Sequence, residues 1–275
     1  MKLGIVTPVL TMLPRAHASW EETATFDDIV AIVREADDLG YHHCTCSEHI
    51  GVPVDIAEVR GGRYFDPLAT FGALGMVTSS IRFATHVLVL GYHHPVAIAK
   101  RYGTLDVVTG GRLILGVGVG SLREEFELLG ADFEGRGARA DEAMRVLRAA
   151  LSQREFEGFL IDPCAVQDYV PMWVGGRTLR SLRRAVALGD GWAPFGLRTA
   201  ELAEMQSRVE LPTGFEVVLQ NEHPLDPLSD PDRVAEQLRR YADIGATSVN
   251  TRFVHHSRAH LLEQMAALVD LSPAE

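Results

Sequence analysis

The sequence is poor in cysteine and lysine. Its 275 residues include three cysteines, Cys44, Cys46 and Cys164, and two lysines. A small and odd number of cysteines cannot form a disulfide framework, which excludes a disulfide-stabilised miniature domain and predicts a reducing compartment. The hydrophobic fraction of 47% also excludes a disordered or collagen-like chain.

Long apolar runs and an excess of positive charge are lacking as well. No run of about 18 apolar residues occurs, so we expect no transmembrane helix. The beginning of the sequence lacks the apolar core of a signal peptide, and we expect a cytoplasmic protein. The charges are 26 Lys and Arg against 37 Asp and Glu, a net charge of -11. This balance argues against a nucleic-acid partner, because contacts to phosphate backbones require basic surfaces.

Short apolar runs alternate with longer segments of helical spacing throughout the chain. The short runs are typical of buried strands, and Thr25 and Asp28 form a plausible capping box before the first helical segment. The predicted strands comprise residues 3–6, 41–47, 82–90, 112–117, 172–174, 191–195, 215–220 and 248–253. The predicted helices comprise residues 26–40, 67–78, 95–108, 139–151, 178–188, 199–208, 231–244 and 258–269.

These eight strand–helix pairs predict an α/β fold with parallel strands. A closed (β/α)8 TIM barrel needs eight such pairs in about 250 residues. No change of composition typical of a linker separates the pairs, so we expect one domain over residues 1–275. An open doubly wound sheet is the alternative. In either architecture the functional residues are expected at the C-terminal ends of the strands.

The second strand is followed by Glu48 and His49. An imidazole beside a carboxylate at the end of a barrel strand is suited to proton transfer. His49 and Glu48 are therefore the candidate catalytic residues, and a surface histidine in a loop is the alternative.

Cysteine and histidine side chains in the second strand are types that bind zinc. Strand alternation places Cys44 and Cys46 on one face and His43 and His49 on the other. These groups cannot converge on one ion, and we expect no metal site. In the third strand, Thr85 and His86 interrupt the apolar run, and their polar groups need partners from the backbone or from a ligand.

Two glycine-rich segments follow later strands. Gly116, Gly118 and Ser121 depart from the dinucleotide-binding fingerprint, because Ser121 replaces the third glycine and no helix is predicted to begin there. Residues 175–177, Gly-Gly-Arg, precede a predicted helix. Free N–H groups at a helix start, together with Arg177, predict a binding site for an anion such as phosphate. A plain strand-to-helix turn is the alternative.

Six further segments carry a resemblance to a known family. They are residues 66–70 (Asp-Pro-Leu-Ala-Thr), 94–100 (His-Pro-Val-Ala-Ile-Ala-Lys), 105–120, 123–126 (Arg-Glu-Glu-Phe), 173–176 (Trp-Val-Gly-Gly) and 188–192 (Leu-Gly-Asp-Gly-Trp). Together they resemble the bacterial luciferase-like monooxygenase family, and specifically its branch that depends on the deazaflavin coenzyme F420. The family fold is a (β/α)8 barrel, in agreement with the count of strands and helices.

The resemblance implies a flavin-type cofactor at the C-terminal mouth of the barrel. It also implies a cis peptide bond between His86 and Val87, and His49 matches a histidine that lies near the reactive ring in several members. The residues implied to bind the cofactor are Thr85, His86 and Val87 beside the ring, Gly120 and Ser121 at its edge, and Gly175, Gly176 and Arg177 at the phosphate.

We therefore expect an oxidoreductase that transfers a hydride between coenzyme F420 and a small organic substrate. The predominance of arginine over lysine is common in proteins from GC-rich genomes and favours F420. An FMN-dependent monooxygenase that needs a reductase partner is the nearest alternative, and a non-catalytic cofactor-binding barrel and a metal-dependent lyase are two others. The family also implies a homodimer. The loops that would choose the substrate carry no motif.

Overall fold

A closed barrel of parallel strands is the framework of the computed structural model, which describes residues 1–14 and 16–271. The barrel strands are β1 (Lys2–Val6), β2 (His43–Cys46), β3 (Arg82–Thr85), β4 (Leu88–Val89) and β5 (Leu113–Gly118), and a hairpin is formed by β6 (Glu155–Phe156) and β7 (Phe159–Leu160). The barrel continues with β8 (Met172–Gly175), β9 (Gly191–Ala193), β10 (Glu216–Gln220) and β11 (Ser248–Thr251).

The strand order closes the barrel and confirms the predicted fold. β1 pairs with β2 and β11, the later strands follow in sequence, and both β3 and β4 pair with β5. β3 and β4 are two parts of the third barrel strand. The predicted continuous strand over residues 82–90 is wrong in this detail, because the chain breaks its ladder at His86 and Val87.

Helices surround the barrel. They are α1 (Phe26–Asp38), α2 (Val54–Arg60), α3 (Pro67–Gly75), α4 (Pro95–Val108), α5 (Arg123–Leu128), α6 (Arg136–Ala150), α7 (Leu179–Leu188), α8 (Thr199–Gln206), α9 (Pro231–Asp243) and α10 (Arg258–Leu271). Within the described ranges, none of these helices is both long enough and apolar enough to cross a membrane.

Cap residues determine where several helices begin. The backbone N–H of Thr25 donates to Asp28 at 2.8 Å, which confirms the predicted capping box of α1. The side chain of Asp66 accepts from the backbone N–H of Ala69 at 2.9 Å at the start of α3. Pro95 occupies the first turn of α4, where the lost N–H has no helical partner to bond.

Two short helices, α2 and α5, are absent from the sequence-based assignment. No residue of α2 is buried, so it offers no apolar periodicity to detect. α5 begins at Arg123, two residues after Ser121, which corrects the expectation that no helix starts there. Both helices follow barrel strands and lie at the mouth, where they supply side chains to the site described below.

The barrel interior is filled below the mouth. The indole of Trp173 lies at its centre, edge-on to the ring of His43, and donates from Nε1 to Glu216 at 2.6 Å. The Nε2 atom of His43 lies 2.5 Å from Oδ1 of Asn250. Burial lowers the pKa of His43 to about 3, so its ring is neutral at physiological pH. This packed interior leaves the C-terminal mouth as the end at which a ligand can bind.

Candidate functional site

A cleft opens at the C-terminal ends of β1, β2, β3, β10 and β11. This is the end of a (β/α)8 barrel at which active sites lie. Ser47, which follows β2, and His86, which follows β3, contribute to its wall, and the hydroxyl of Ser47 donates to the carbonyl of His86 at 2.9 Å. Of the ten site residues proposed from the sequence, His86 lines this cleft, and the other nine are not part of its wall.

His49 pairs with a carboxylate from another part of the chain. Its Nδ1 atom lies 2.8 Å from Oε2 of Glu125, which belongs to α5. The imidazole ring also packs against Tyr64, with the ring centroids 4.4 Å apart. In the described part of the chain, Nε2 of His49 has no hydrogen-bond partner. A carboxylate on Nδ1 holds the neutral ring in the tautomer that protonates Nδ1 and leaves Nε2 free to accept a proton.

Glu125 is fully buried and has several hydrogen-bond donors. The backbone N–H groups of Ile50 and Gly51 donate to its Oε1, and the hydroxyl of Tyr92 donates to its Oε2 at 2.6 Å. Burial opposes ionisation, but the hydrogen bonds from His49 and Tyr92 outweigh it and lower the pKa of Glu125. The carboxylate is therefore ionised at neutral pH and fixes the position of the imidazole.

Glu48 does not support His49 as expected from the sequence. Its Oε2 accepts from the backbone N–H of Val89 at 2.7 Å, and its Oε1 lies 2.7 Å from Nε2 of His93. The side chain is buried, because it points towards β4 and away from the ring of His49. The physical reason is that adjacent residues in extended chain point in opposite directions. Glu48 therefore stabilises the loop after β4.

The third barrel strand has the geometry implied by the resemblance. The peptide bond between His86 and Val87 is cis, which confirms that prediction. The hydroxyl of Thr85 donates to the carbonyl of Gly116 at 2.7 Å, so its partner is the backbone. Burial lowers the pKa of His86 to about 4, and its ring is neutral at pH 7.

The side chain of Val87 lies between two glycines of neighbouring strands. A Cβ atom on Gly118 would lie 2.5 Å from Cγ2 of Val87, and one on Gly175 would lie 2.7 Å from its Cγ1. These glycines bring the third, fourth and fifth barrel strands close together around one valine. Two of the predicted cofactor-contact segments, those of Val87 and Gly175, therefore meet here.

Gly120 and Ser121 lie beside α5. Gly120 has a φ of 77°, a conformation that favours glycine, and its carbonyl accepts from Nε of Arg136 at 3.0 Å. Ser121 is exposed, and its hydroxyl accepts from Nη1 of Arg60 at 3.3 Å. Gly120 is half-buried against Phe126 and Val89.

The turn between β8 and α7 has the chemistry of an anion site. In the described residues, the backbone N–H groups of Gly176 and Arg177 have no hydrogen-bond partner, and the exposed guanidinium of Arg177 forms no ion pair. Thr178 caps α7 by accepting from the backbone N–H of Ser181 at 3.2 Å. Unpaired N–H groups and an unpaired cation at the start of a helix fit a phosphate or carboxylate group.

The cysteines and histidines of β2 do not form a metal site. Cys44 and Cys46 pack outwards into the apolar core, whereas His43 points into the barrel interior. No group of three or more potential ligands comes together within residues 1–14 and 16–271. The alternation of side chains along the strand correctly predicted this separation.

Glu125, Tyr92 and Tyr64 are site residues that the sequence did not assign. The signal for Glu125 was present, because residues 123–126 belong to the segments that carry the family resemblance. Only the fold shows that this glutamate, rather than the one next to His49, binds the imidazole. The contacts of Tyr64 and Tyr92 join loops after different strands and have no local pattern.

Comparisons with known proteins identify the family. A family model described as luciferase-like monooxygenase matches residues 1–211. An uncharacterized protein of Mycobacterium tuberculosis is 31% identical over 214 residues, which cover 70% of this chain and 74% of the relative.

Solved structures with different cofactors share the fold. One is an F420-dependent secondary alcohol dehydrogenase in complex with an F420-acetone adduct, with a TM-score of 0.72, 13% identity and coverage of 99% of this chain and 98% of that one. Another is the oxygenating constituent of 3,6-diketocamphane monooxygenase from Pseudomonas putida in complex with FMN, with a TM-score of 0.70, 16% identity and coverage of 98% and 96%. At these identities the likeness concerns the fold alone.

Proposed function

The chain belongs to the luciferase-like monooxygenase family of oxidoreductases, and we propose that it transfers a hydride between coenzyme F420 and a small organic substrate. The observation that carries this proposal is the pair formed by His49 and Glu125 at the barrel mouth. Oxidation of an alcohol carbon by hydride removal requires a base for the hydroxyl proton. Nε2 of His49 is the available base.

The cofactor residues fit an anionic deazaflavin. The unpaired N–H groups of Gly176 and Arg177 and the guanidinium of Arg177 would hold its phosphate. His86 and Val87 would form the surface under its ring, and the fully buried Thr85 would hold this segment through its hydrogen bond to Gly116. Gly120 and Ser121 would flank it. When bound, F420 supplies a carbon, C5, that accepts or donates the hydride.

The protein residues would handle the proton and the orientation. In the oxidation direction, Nε2 of His49 would accept the hydroxyl proton of the substrate, and bound F420 would supply the acceptor for the hydride. The ionised carboxylate of Glu125 stabilises the resulting imidazolium ion. In the reduction direction the same proton returns to the substrate oxygen. Atoms and charges balance without a further reactant.

F420 is favoured over FMN by composition, because arginine greatly outnumbers lysine, as is common in proteins from GC-rich genomes. The two structural neighbours bind different cofactors and therefore do not separate F420 from the alternative, an FMN-dependent monooxygenase with a separate reductase.

The test is to titrate the purified protein with oxidised F420 and, separately, with FMN, and to monitor binding by the fluorescence of the cofactor. We expect saturable binding of F420 at least about tenfold tighter than that of FMN, which corresponds to about 1.4 kcal/mol. Tight binding of FMN without binding of F420 would reject the deazaflavin and leave the monooxygenase. Binding of neither would reject both and favour a barrel with another role.

A further inference from the structure

Three polar side chains at the cleft have nitrogen atoms that lack a hydrogen-bond partner in the described part of the chain. His86, Gln220 and Arg252 each stand at or just after the C-terminal end of a barrel strand and contribute to the cleft wall. Each lies two positions beyond a residue whose side chain faces the barrel interior, namely Ala84, Val218 and Asn250. Strand alternation therefore directs all three towards the cleft.

Arg252 is half-buried and has no counter-ion in the described part of the chain. Its Nη2 donates to the carbonyls of Asn221 and Glu222 at 3.2 and 3.3 Å. Its Nε is buried without a partner, and its Nη1 has none either. A half-buried guanidinium that lacks a carboxylate is costly unless a ligand supplies the negative charge.

The position of Arg252 is fixed by Asn221. The backbone N–H of Arg252 donates to Oδ1 of Asn221 at 2.8 Å, and Nδ2 of Asn221 donates to the carbonyl of Arg252 at 3.0 Å. Asn221 is itself buried. A guanidinium held in this way is already oriented before a ligand arrives, which lowers the entropic cost of binding.

The other charged groups of the cleft are already paired. The carboxylate of Glu21 accepts from the backbone N–H groups of Val9 and Ala18 at 2.9 and 2.8 Å and lies 3.6 Å from Nε2 of His255. His17 contacts the carbonyl of Leu13 and the carboxylate of Glu22. Arg252 is thus the charged group of this cleft, among the residues that the structure describes, whose charge is not compensated.

We propose that the substrate is an organic acid whose carboxylate binds Arg252 and Gln220. Nη1 of Arg252 and the side-chain amide of Gln220 are the donors, since neither has a partner in the described chain. The wall formed by Val6, Pro8 and Leu13 is accessible and apolar and would contact the hydrocarbon part of the substrate. This inference rests on the proposed function only in calling the ligand a substrate.

The test uses benzoate as the probe and benzyl alcohol as its neutral counterpart. Both are titrated into the full chain by calorimetry at low ionic strength, without cofactor. We expect one saturable site for benzoate, and binding at least about tenfold weaker in Arg252→Gln, as expected for the loss of a charge-assisted hydrogen bond. Benzyl alcohol should bind more weakly than benzoate and should not distinguish the variant from the wild type.

Two controls separate local from global effects. Arg239→Gln removes an exposed arginine of α9 that pairs with Glu236 and should leave benzoate binding unchanged. Arg252→Lys keeps the charge and should restore part of the affinity. If Arg252→Gln does not fold, amide chemical-shift changes in the wild type should locate benzoate at Leu13 and Arg252.

Several results would overturn the inference. They are the absence of saturable benzoate binding, equal affinity in Arg252→Gln, equal affinity for benzyl alcohol, or shift changes away from the cleft. Failure of F420 binding combined with Arg252-dependent benzoate binding would reject the proposed function and leave the anion site standing. Binding of F420 without Arg252-dependent binding of benzoate would reject only the anion site.

Discussion

The Nδ1 atom of His49 lies 2.8 Å from Oε2 of Glu125, a carboxylate located 76 positions further along the chain. The loop after β2 and the short helix α5 are therefore joined at the mouth of the barrel. The buried carboxylate also accepts from Tyr92, so three segments hold the imidazole in place. This relationship makes several predictions about the proposed reaction.

Removal of the imidazole of His49 should slow proton transfer strongly. His49→Ala is expected to reduce turnover with F420 by at least about a hundredfold, which is the usual contribution of a general acid or base. The cofactor dissociation constant should change little. His223→Ala, which removes an exposed histidine, is the control. Steady-state kinetics with unchanged turnover in His49→Ala would contradict the assigned role.

The two glutamates should behave differently. In Glu125→Gln, an amide nitrogen can face Nδ1 of His49, which favours the opposite tautomer and places the proton on Nε2. We expect turnover to fall by about a hundredfold or more with a shift of the pH profile. The shift of the profile distinguishes this effect from simple loss of structure.

Glu48→Gln should mainly affect stability. The substitution weakens hydrogen bonds to Val89 and His93 in a buried location. We expect the free energy of unfolding to fall by about 1–3 kcal/mol, as measured by chemical denaturation. A loss of turnover as large as that in Glu125→Gln, with unchanged stability, would instead support the pairing that the sequence suggested.

Arg177→Gln should weaken cofactor binding. The exposed guanidinium forms no ion pair in the described chain, so its removal leaves no protein group unpaired and should not affect folding. We expect the dissociation constant for F420 to rise by about tenfold, with a weaker dependence on salt. Arg180→Gln, on the exposed side of α7, is the matched control. Equal affinities in both variants would place the phosphate elsewhere.

The substitution Gly118→Ala should crowd the side chain of Val87 at the barrel mouth. Its Cβ would lie 2.5 Å from Cγ2 of Val87, whose branched side chain has few alternative rotamers. We expect a loss of about 1–3 kcal/mol in the free energy of unfolding. The double variant Gly118→Ala with Val87→Ala should recover part of this loss. Denaturation curves of the two single variants and the double variant provide the check.

Ionisation of Asp37 should make the free energy of unfolding depend on pH in the acid range. Burial opposes its ionisation, but hydrogen bonds from Ser80, Ser79 and Ile81 lower its pKa well below the ordinary value. Its contribution is therefore complete above the unfolded-state pKa of about 3.9 and is lost as pH falls below it.

The variant Asp37→Asn tests this contribution. It should lose about 2 kcal/mol of unfolding free energy at pH 7, and the difference from the wild type should shrink below pH about 4. Denaturation at pH 7, 5 and 3 measures the trend. A difference that is independent of pH would show that the charge of Asp37 does not contribute.

Local patterns in the sequence predicted the barrel, with an open doubly wound sheet as the alternative. Eight apolar runs and eight segments of helical spacing, each a property of neighbouring residues, predicted the strand and helix order, and the alternation along β2 predicted that its cysteines and histidines do not converge. The cap at Thr25 and the start of α4 at Pro95 could likewise be predicted from the sequence, because caps act within one helical turn.

Only the tertiary structure decided how the site is connected. Whether Glu125 or Glu48 pairs with His49 depends on the directions in which two adjacent side chains point and on where α5 packs. Whether the guanidinium of Arg252 has a counter-ion depends on all the residues that the fold brings close to it. Such contacts join residues far apart in the chain, and no local pattern encodes them. The sequence by itself determined which barrel forms and where its mouth lies, and the packing of distant segments determined which polar groups remain free for a ligand.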